Sequence, residues 1–282
     1  MTQGRFELKY VVDSETKERF LDAIRPEVRP DPHGQNAIYR VSSLYFDTPD
    51  YQAVYEKLDG ESNRKKYRLR YYDVFTSDGK VKVSSTFMEI KHRIQNTVYK
   101  QRAKLSDIGA EKILSNAKEL INLSNHVCEP STCPQLIQDI EAAASTKKLQ
   151  AAKTITYIRE AWQGAHDPRL RVTVDSKCQS YASSSFGSVE DNAGEAILDE
   201  NLVILEIKFD HSIPCWIRDI LQTQHLHLQR FSKYAAGVLS DADLKIQNRW
   251  SETPRGATEK TMPVVAPVPT LQPGTLVMPV GN

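Results

Sequence analysis

RKKYRLRYY, running from Arg64 to Tyr72, alternates basic and apolar residues with the two-residue period of a half-buried strand. Side chains two apart in a strand share a face, so Arg68 and Arg70 point one way and Leu69 the other. The same pattern recurs along the chain. Arg5, Glu7 and Lys9 share a face in RFELKYVVD, Glu89, Lys91 and Arg93 in FMEIKHRI, and Lys100 and Arg102 in TVYKQRAKL. Tyr157 and Arg159 do so in TITYIREAW, Arg171, Thr173 and Asp175 in RLRVTVDSK, and Glu206 and Lys208 in NLVILEIKFD. The opposite faces carry Leu8, Leu69, Ile90, Ile158, Val172, Val174, Leu205 and Ile207.

One such strand reads as part of a sheet with a solvated face. Seven of them read differently, because like charges opposed across neighbouring strands destabilise a sheet unless a polyanion neutralises them. The segments between the strands are helical and need an apolar surface to pack on. Ser14 caps ETKERFLDAIRP, Pro49 sits in the first turn of PDYQAVYEKLDG, and two further helices follow between Ser106 and Thr146. IPCWIRDILQTQ is entered at Pro214, and RFSKYAAGVLS is the last helix. If helices cover the apolar faces, the charged faces line something else. An α+β fold fits, in which an antiparallel sheet closes into a barrel with helices outside and charged side chains inside. TSDGK, residues 76–80, is the turn of a hairpin. Residues 1–250 read as one domain and 251–282 as a disordered Pro-rich tail.

Composition limits what such a lumen can serve. The 282 residues carry 37 Lys and Arg against 36 Asp and Glu, a net charge of +1, so no general polycation and no nucleic-acid partner is expected. Anion binding must come from local segregation of charge. Cys128 and Cys133 lack the spacing and partners of a zinc site, and no apolar run reaches the about 18 residues of a membrane span, so free thiols and a cytoplasmic location are expected. There is no Walker-type glycine loop and no clear nucleophilic triad. Guanidinium and ammonium groups match phosphate oxygens, and carboxylates among them can hold a divalent metal. Phosphoryl transfer consists largely of positioning and charge neutralisation, which a basic tunnel supplies.

RFELKY, SLYFDTPDYQAVYEKLDG, YRLRYY, FMEIKHR, YIREAW, RVTVDSK, ILEIKF and RFSKYAAGV, in that order, resemble the VTC domain, the polyphosphate polymerase domain of the triphosphate tunnel metalloenzyme (CYTH-like) superfamily. The resemblance implies an eight-stranded antiparallel tunnel. It also implies transfer of the γ-phosphate of ATP to a growing polyphosphate chain with a divalent metal, manganese first and magnesium second. Lys9, Arg68, Arg70, Lys91, Arg159 and Arg171 resemble the catalytic bases. Arg40, Arg93, Lys100, Arg102, Tyr157, Lys208 and Lys233 are the further phosphate-binding candidates, with Lys233 closing the tunnel from the last helix. Glu206 resembles the metal-binding glutamate, helped by Glu89 and Glu7, and Asp175 is a structural partner for a tunnel base.

Hydrolytic relatives open with Glu-x-Glu-x-Lys, a slot that here reads Arg5-Phe6-Glu7-Leu8-Lys9. The missing first glutamate favours the polymerase branch. The same residues would serve a tunnel triphosphatase, another phosphotransferase, or a non-catalytic module binding polyphosphate or nucleotide. Some relatives add an SPX domain and membrane helices. This sequence shows neither and reads as a freestanding version, without direct membrane insertion, whose membrane role would run through a partner protein.

Overall fold

The structure, a computed structural model, describes residues 4–32, 37–75, 81–187 and 194–240. The expected turn at 76–80 and the expected tail lie outside the described residues. Eight long antiparallel strands form the frame: β1 (Arg5–Asp13), β3 (Ile38–Asp47), β4 (Asn63–Phe75), β6 (Phe87–Ile94), β7 (Thr97–Lys104), β8 (Gln150–Gly164), β9 (Arg171–Tyr181) and β11 (Leu202–Phe209). They pair in the order β9-β11-β1-β7-β6-β4-β3-β8, and β8 pairs again with β9, which closes the barrel. Three short strands hang from this ring: β2 (Val28–Pro30) on β8, β5 (Val81–Val83) on β4 and β10 (Glu195–Ala196) on β9. The stretch from Val81 to Ile94 is divided into β5 and β6.

Closure sorts side chains by parity, as a closed sheet must. The outward residues of β3, β4, β6 and β7, among them Leu44, Leu69, Met88, Ile90 and Ala103, form one apolar cluster under α3 (Asp107–Ser115), a 3₁₀ segment (Ala117–Asn125) and α4 (Pro134–Lys147). Val172, Val174, Val203, Leu205 and Ile207 form a second, under α1 (Ser14–Ile24) and α5 (Cys215–Thr223). A ligand lumen can be polar because these two outer clusters hold the fold.

Helix starts follow capping chemistry. Asp13, not Ser14, caps α1, its carboxylate accepting from the Thr16 amide at 2.7 Å. Pro49 precedes α2 (Gln52–Leu58) instead of entering its first turn, and the start is set by Tyr51 at φ 57°. The first helix expected after Ser106 splits at Asn116, extended at φ −150° and ψ 104°, into α3 and the 3₁₀ segment, whereas the second forms as α4. The last helix, α6 (Lys233–Leu239), is capped by Ser232, which accepts from the Ala235 amide. The four cysteines are free thiols.

Candidate active site: a basic tunnel

Register decides which tunnel charges meet. On β4 and β6, Arg68 lies opposite Glu89, and Arg68 Nε and Nη2 donate to Glu89 Oε2 at 2.9 and 2.7 Å. Glu89 is fully buried and also meets Lys100 at 3.2 Å and Arg70 at 3.9 Å. Burial alone would raise the Glu89 carboxyl, but Arg68, Arg70 and Lys100 outweigh it and hold the group ionised far below the usual carboxylate range. Arg70 itself donates to Ser43 Oγ at 2.9 Å and Tyr157 Oη at 3.3 Å, while Arg68 Nη1 donates to Tyr45 Oη at 3.2 Å.

A second knot joins β1, β8, β9, β11 and α6. Lys9 faces Glu206 across β1 and β11, at 2.9 Å, and Lys208 reaches the other oxygen of that carboxylate at 2.6 Å. Arg159 Nε and Nη2 grip Asp175 at 2.6 and 2.7 Å. Lys233 sends its ammonium from α6 between the two carboxylates, 2.5 Å from Asp175 and 3.3 Å from Glu206, above the Tyr157 ring at 4.6 Å. Burial pushes Lys208 down to about 8 despite Glu206, whereas Asp175 and Glu206 lift Lys233 against the same burial penalty.

Glu7 completes the inward carboxylates. It receives Lys91 at 2.8 and 3.1 Å, and Lys91, Lys208 and Lys9 overcome its burial to hold it at about 2. Arg171 bonds Tyr39 Oη at 2.8 Å and Asp31 at 2.7 Å, and its Nε is buried without a hydrogen-bond partner.

The structure therefore gathers Lys9, Arg68, Arg70, Lys91, Lys100, Tyr157, Arg159, Arg171, Lys208 and Lys233 around Glu7, Glu89, Asp175 and Glu206. Three expected phosphate contacts fall elsewhere. Arg40 is on the outer face of β3, 3.9 Å from Asp73 and over Phe75, beside a cavity of about 240 Å³ that Lys177 and Gln179 also line. Arg93 donates to the Gln95 carbonyl at 2.9 Å at the end of the β6–β7 hairpin. Arg102 has inward parity, opposite Glu89, but is exposed over the Phe87 ring at 4.7 Å.

Two inward bases were missed. Lys66 continues the Arg70–Arg68 period and donates to Ser232 Oγ at 2.7 Å; burial and the charges of Lys91 and Lys9 push its ammonium well below the usual lysine value. Lys153 is buried opposite Tyr45. As for metal, no group of three or more His, Cys, Asp or Glu among the described residues could hold one.

A family model described as the VTC domain matches residues 4–240, almost all of the barrel and its closing helix. The chain belongs to the VTC domain family. Its lumen is accordingly a site for phosphate chemistry, held in a closed eight-stranded barrel. Among solved structures, the chain is similar to a putative adenylyl cyclase of Hippeastrum described as having a dominant triphosphatase activity. Identity is 12% over 84% of this chain and 95% of that one, with a TM-score of 0.47. No helix among the described residues of this VTC domain is long and apolar enough to cross a membrane.

Proposed function

We propose that this VTC domain is a metal-dependent polyphosphate polymerase that moves the γ-phosphate of ATP onto the end of a polyphosphate chain. The observation that carries the reading is the state of the inward carboxylates. Glu7, Glu89, Asp175 and Glu206 are each ion-paired, and all four are driven below the ordinary carboxylate range. A carboxylate with a depressed pKa is a poor base, so none of them is suited to take a proton from an attacking water. The terminal oxygen of a polyphosphate chain is already ionised near neutral pH and needs no base. At the slot where a hydrolase pattern has its first glutamate, this chain has Arg5, which lies 3.8 Å from Asp210.

In this reading Arg68, Arg70, Arg159, Lys9 and Lys91 exchange their present partners for phosphate oxygens. The guanidiniums of Arg68 and Arg70 grip in bidentate fashion, and Tyr157 adds a donor. Stabilisation of charge on the transferring group is the main contribution such a site makes. Manganese or magnesium would neutralise further phosphate charge. The donor set does not fit a metal as it stands, because Glu7 and Glu89 are bound by Lys91 and Arg68 while Asp175 and Glu206 enclose Lys233. No step is therefore derived through the metal.

The test is product analysis. Purified protein is incubated with ATP and Mn²⁺, and the products are run on a gel stained for polyphosphate beside an Arg68→Ala, Arg70→Ala double variant. A ladder from the wild type that vanishes in the variant is expected. Orthophosphate release without a ladder would replace the polymerase reading with a triphosphatase.

A further inference from the structure

Beyond Glu89, the register of β4 and β6 sets cation against cation. Lys66 lies opposite Lys91, and Arg64 opposite Arg93. Like charges facing each other across strands destabilise a sheet unless something neutralises them. Glu7 relieves Lys91 at 2.8 Å. Lys66, Arg64 and Arg93 have no carboxylate within 4 Å among the described residues, and turn instead to the Ser232 hydroxyl and to the carbonyls of Glu61 and Gln95. Two further elements bring cations to the same mouth. Lys57, in the last turn of α2, and Arg230, in the segment that leads to α6, both act electrostatically on Arg64 or with it. The Gln229 amide donates to the Lys9 carbonyl at 2.8 Å, which lays that segment along β1. Burial and the neighbouring cations push Lys57 and Arg64 below their ordinary values, and Glu56 and Glu61 oppose this at Arg64 only in part. The other mouth is arranged in the opposite way. β4 begins beside the end of β3 and the start of β8, so β9, antiparallel to β8, begins at the far side. There Arg171 meets Asp31 at 2.7 Å, and Arg169 and Arg5 meet Asp210 at 2.6 and 3.8 Å.

We propose that Lys57, Arg64, Arg93 and Arg230 form a polyanion site outside the lumen, which holds the distal part of a polyphosphate chain whose end is gripped inside. The inference rests on the polyphosphate reading above and deepens it: it says where the chain runs and makes affinity depend on chain length. From Arg68 to Arg64 the strand advances four residues, about 13 Å at the usual rise. A triphosphate gripped by Arg68 and Arg70 stops short of the outer row, whereas a longer chain runs on past Lys66 and reaches it. Lys57, Arg64 and Arg93 are half-buried and Arg230 is exposed, so the chain lies on a surface there and is not enclosed a second time. Contacts at the mouth act on a molecule already tethered in the lumen, so each adds to the grip without the cost of a separate binding event. The chain also supplies the negative charge that Arg64 and Arg93 lack across the β4–β6 ladder.

The experiment titrates the full chain, without ATP, with tripolyphosphate and with long-chain polyphosphate in a calorimeter. Wild type is compared with a triple variant, Lys57→Gln, Arg64→Gln and Arg230→Gln, and with a control that removes the same charge elsewhere, Arg19→Gln, Lys118→Gln and Arg218→Gln, all exposed positions. The wild type should bind the long polymer more tightly than tripolyphosphate. The mouth variant is expected to bind the long polymer about tenfold more weakly and tripolyphosphate within about twofold of wild type. The control should keep both affinities. An equal loss for both ligands, no loss for either, or an equal loss of the long polymer in the control would overturn the proposal. So would a wild type indifferent to chain length. A single-stranded DNA oligomer that displaces the long polymer as well as polyphosphate itself does would make the mouth a general polyanion surface and overturn it too. No turnover enters these titrations: a triphosphatase can show the length dependence and a polymerase can lack it, so this inference and the polymerase reading fail separately.

Discussion

Glu89→Gln is the sharpest probe of what the lumen carboxylates are for. The substitution keeps volume and an acceptor oxygen for Arg68 but deletes the charge that faces Arg68 at 2.7 Å, Lys100 at 3.2 Å and Arg70 at 3.9 Å. Glu89 is wholly buried and Arg68 and Arg70 are nearly so, and Arg70 has no closer acid among the described residues. Removing one partner of a buried ion pair costs about 3–5 kcal/mol, and the retained acceptor places this variant near the lower end, about 3 kcal/mol. For a domain of this size each kcal/mol moves the melting temperature by roughly 2–4 °C, so a fall of about 6–12 °C is expected. The assay is thermal unfolding with and without tripolyphosphate. An anion that binds Arg68 and Arg70 replaces the lost charge, so tripolyphosphate should raise the variant's melting temperature by at least as much as the wild type's. A variant melting within about 2 °C of wild type, but with weakened Mn²⁺ binding, would refute the reasoning and make Glu89 a metal ligand instead of the counter-ion of the arginines.

Lys66→Met should do the opposite: the ammonium has Ser232 Oγ and the Tyr234 ring but no carboxylate within 4 Å among the described residues, so its loss should leave thermal stability unchanged or higher while polyphosphate affinity falls about tenfold in calorimetry. Gly237→Ala should overpack α6 against Ile155 and Ser180 at about 1–3 kcal/mol, seen as faster amide exchange in Lys233–Leu239 with the barrel amides unchanged. Acid unfolding should report the ion pairs. Glu7, Glu89, Asp175 and Glu206 have folded values below their unfolded ones, so their contribution is complete above the unfolded range of about pH 4 and is lost as pH falls through the folded values, about 2 for Glu7. A Glu7→Gln variant should therefore lose stability at pH 7 and show a shallower decline between about pH 5 and pH 2, with equal slopes counting against the assignment.

Parity carried most of what could be read from the amino-acid order, and its limits are physical. From Lys66 to Tyr71 of β4 the alternation is strict, so the inward direction of Lys66, Arg68 and Arg70 follows from the letters alone. In β3, Ile38–Asp47, apolar residues occupy both parities, Tyr39, Val41 and Tyr45 inward and Leu44 and Phe46 outward, so nothing in the stretch fixes the phase and Arg40 falls on the outer face. Shear was equally hidden. Arg102 has the inward parity of Lys100, but β1 pairs with β7 only through Arg5 and Phe6 among the described residues, and the far end of β7 is left exposed. Which acid meets which base depends on cross-strand register, and one residue of slip would have paired Arg68 with Ile90 or Met88 in place of Glu89. Lys233 needed the seat of a seven-residue helix, whose phase no periodicity that short can establish.

The arrangement of charges also explains how one barrel remains folded with so basic an interior. Three of the four inward carboxylates lie between two bases, Glu89 between Arg68 and Lys100, Glu206 between Lys9 and Lys208, and Asp175 between Arg159 and Lys233 of α6, while Glu7 receives Lys91. The acids are therefore outnumbered, and each relieves repulsion among several cations without cancelling them. Residual positive potential is what a phosphate chain would meet on entering, focused by walls of low dielectric. Adding acids would steady the empty barrel and weaken its grip; removing them would strengthen attraction and unfold it. Glu89→Gln and Lys66→Met sit on opposite sides of that balance, which is why stability and polyphosphate affinity should move in opposite directions between the two variants.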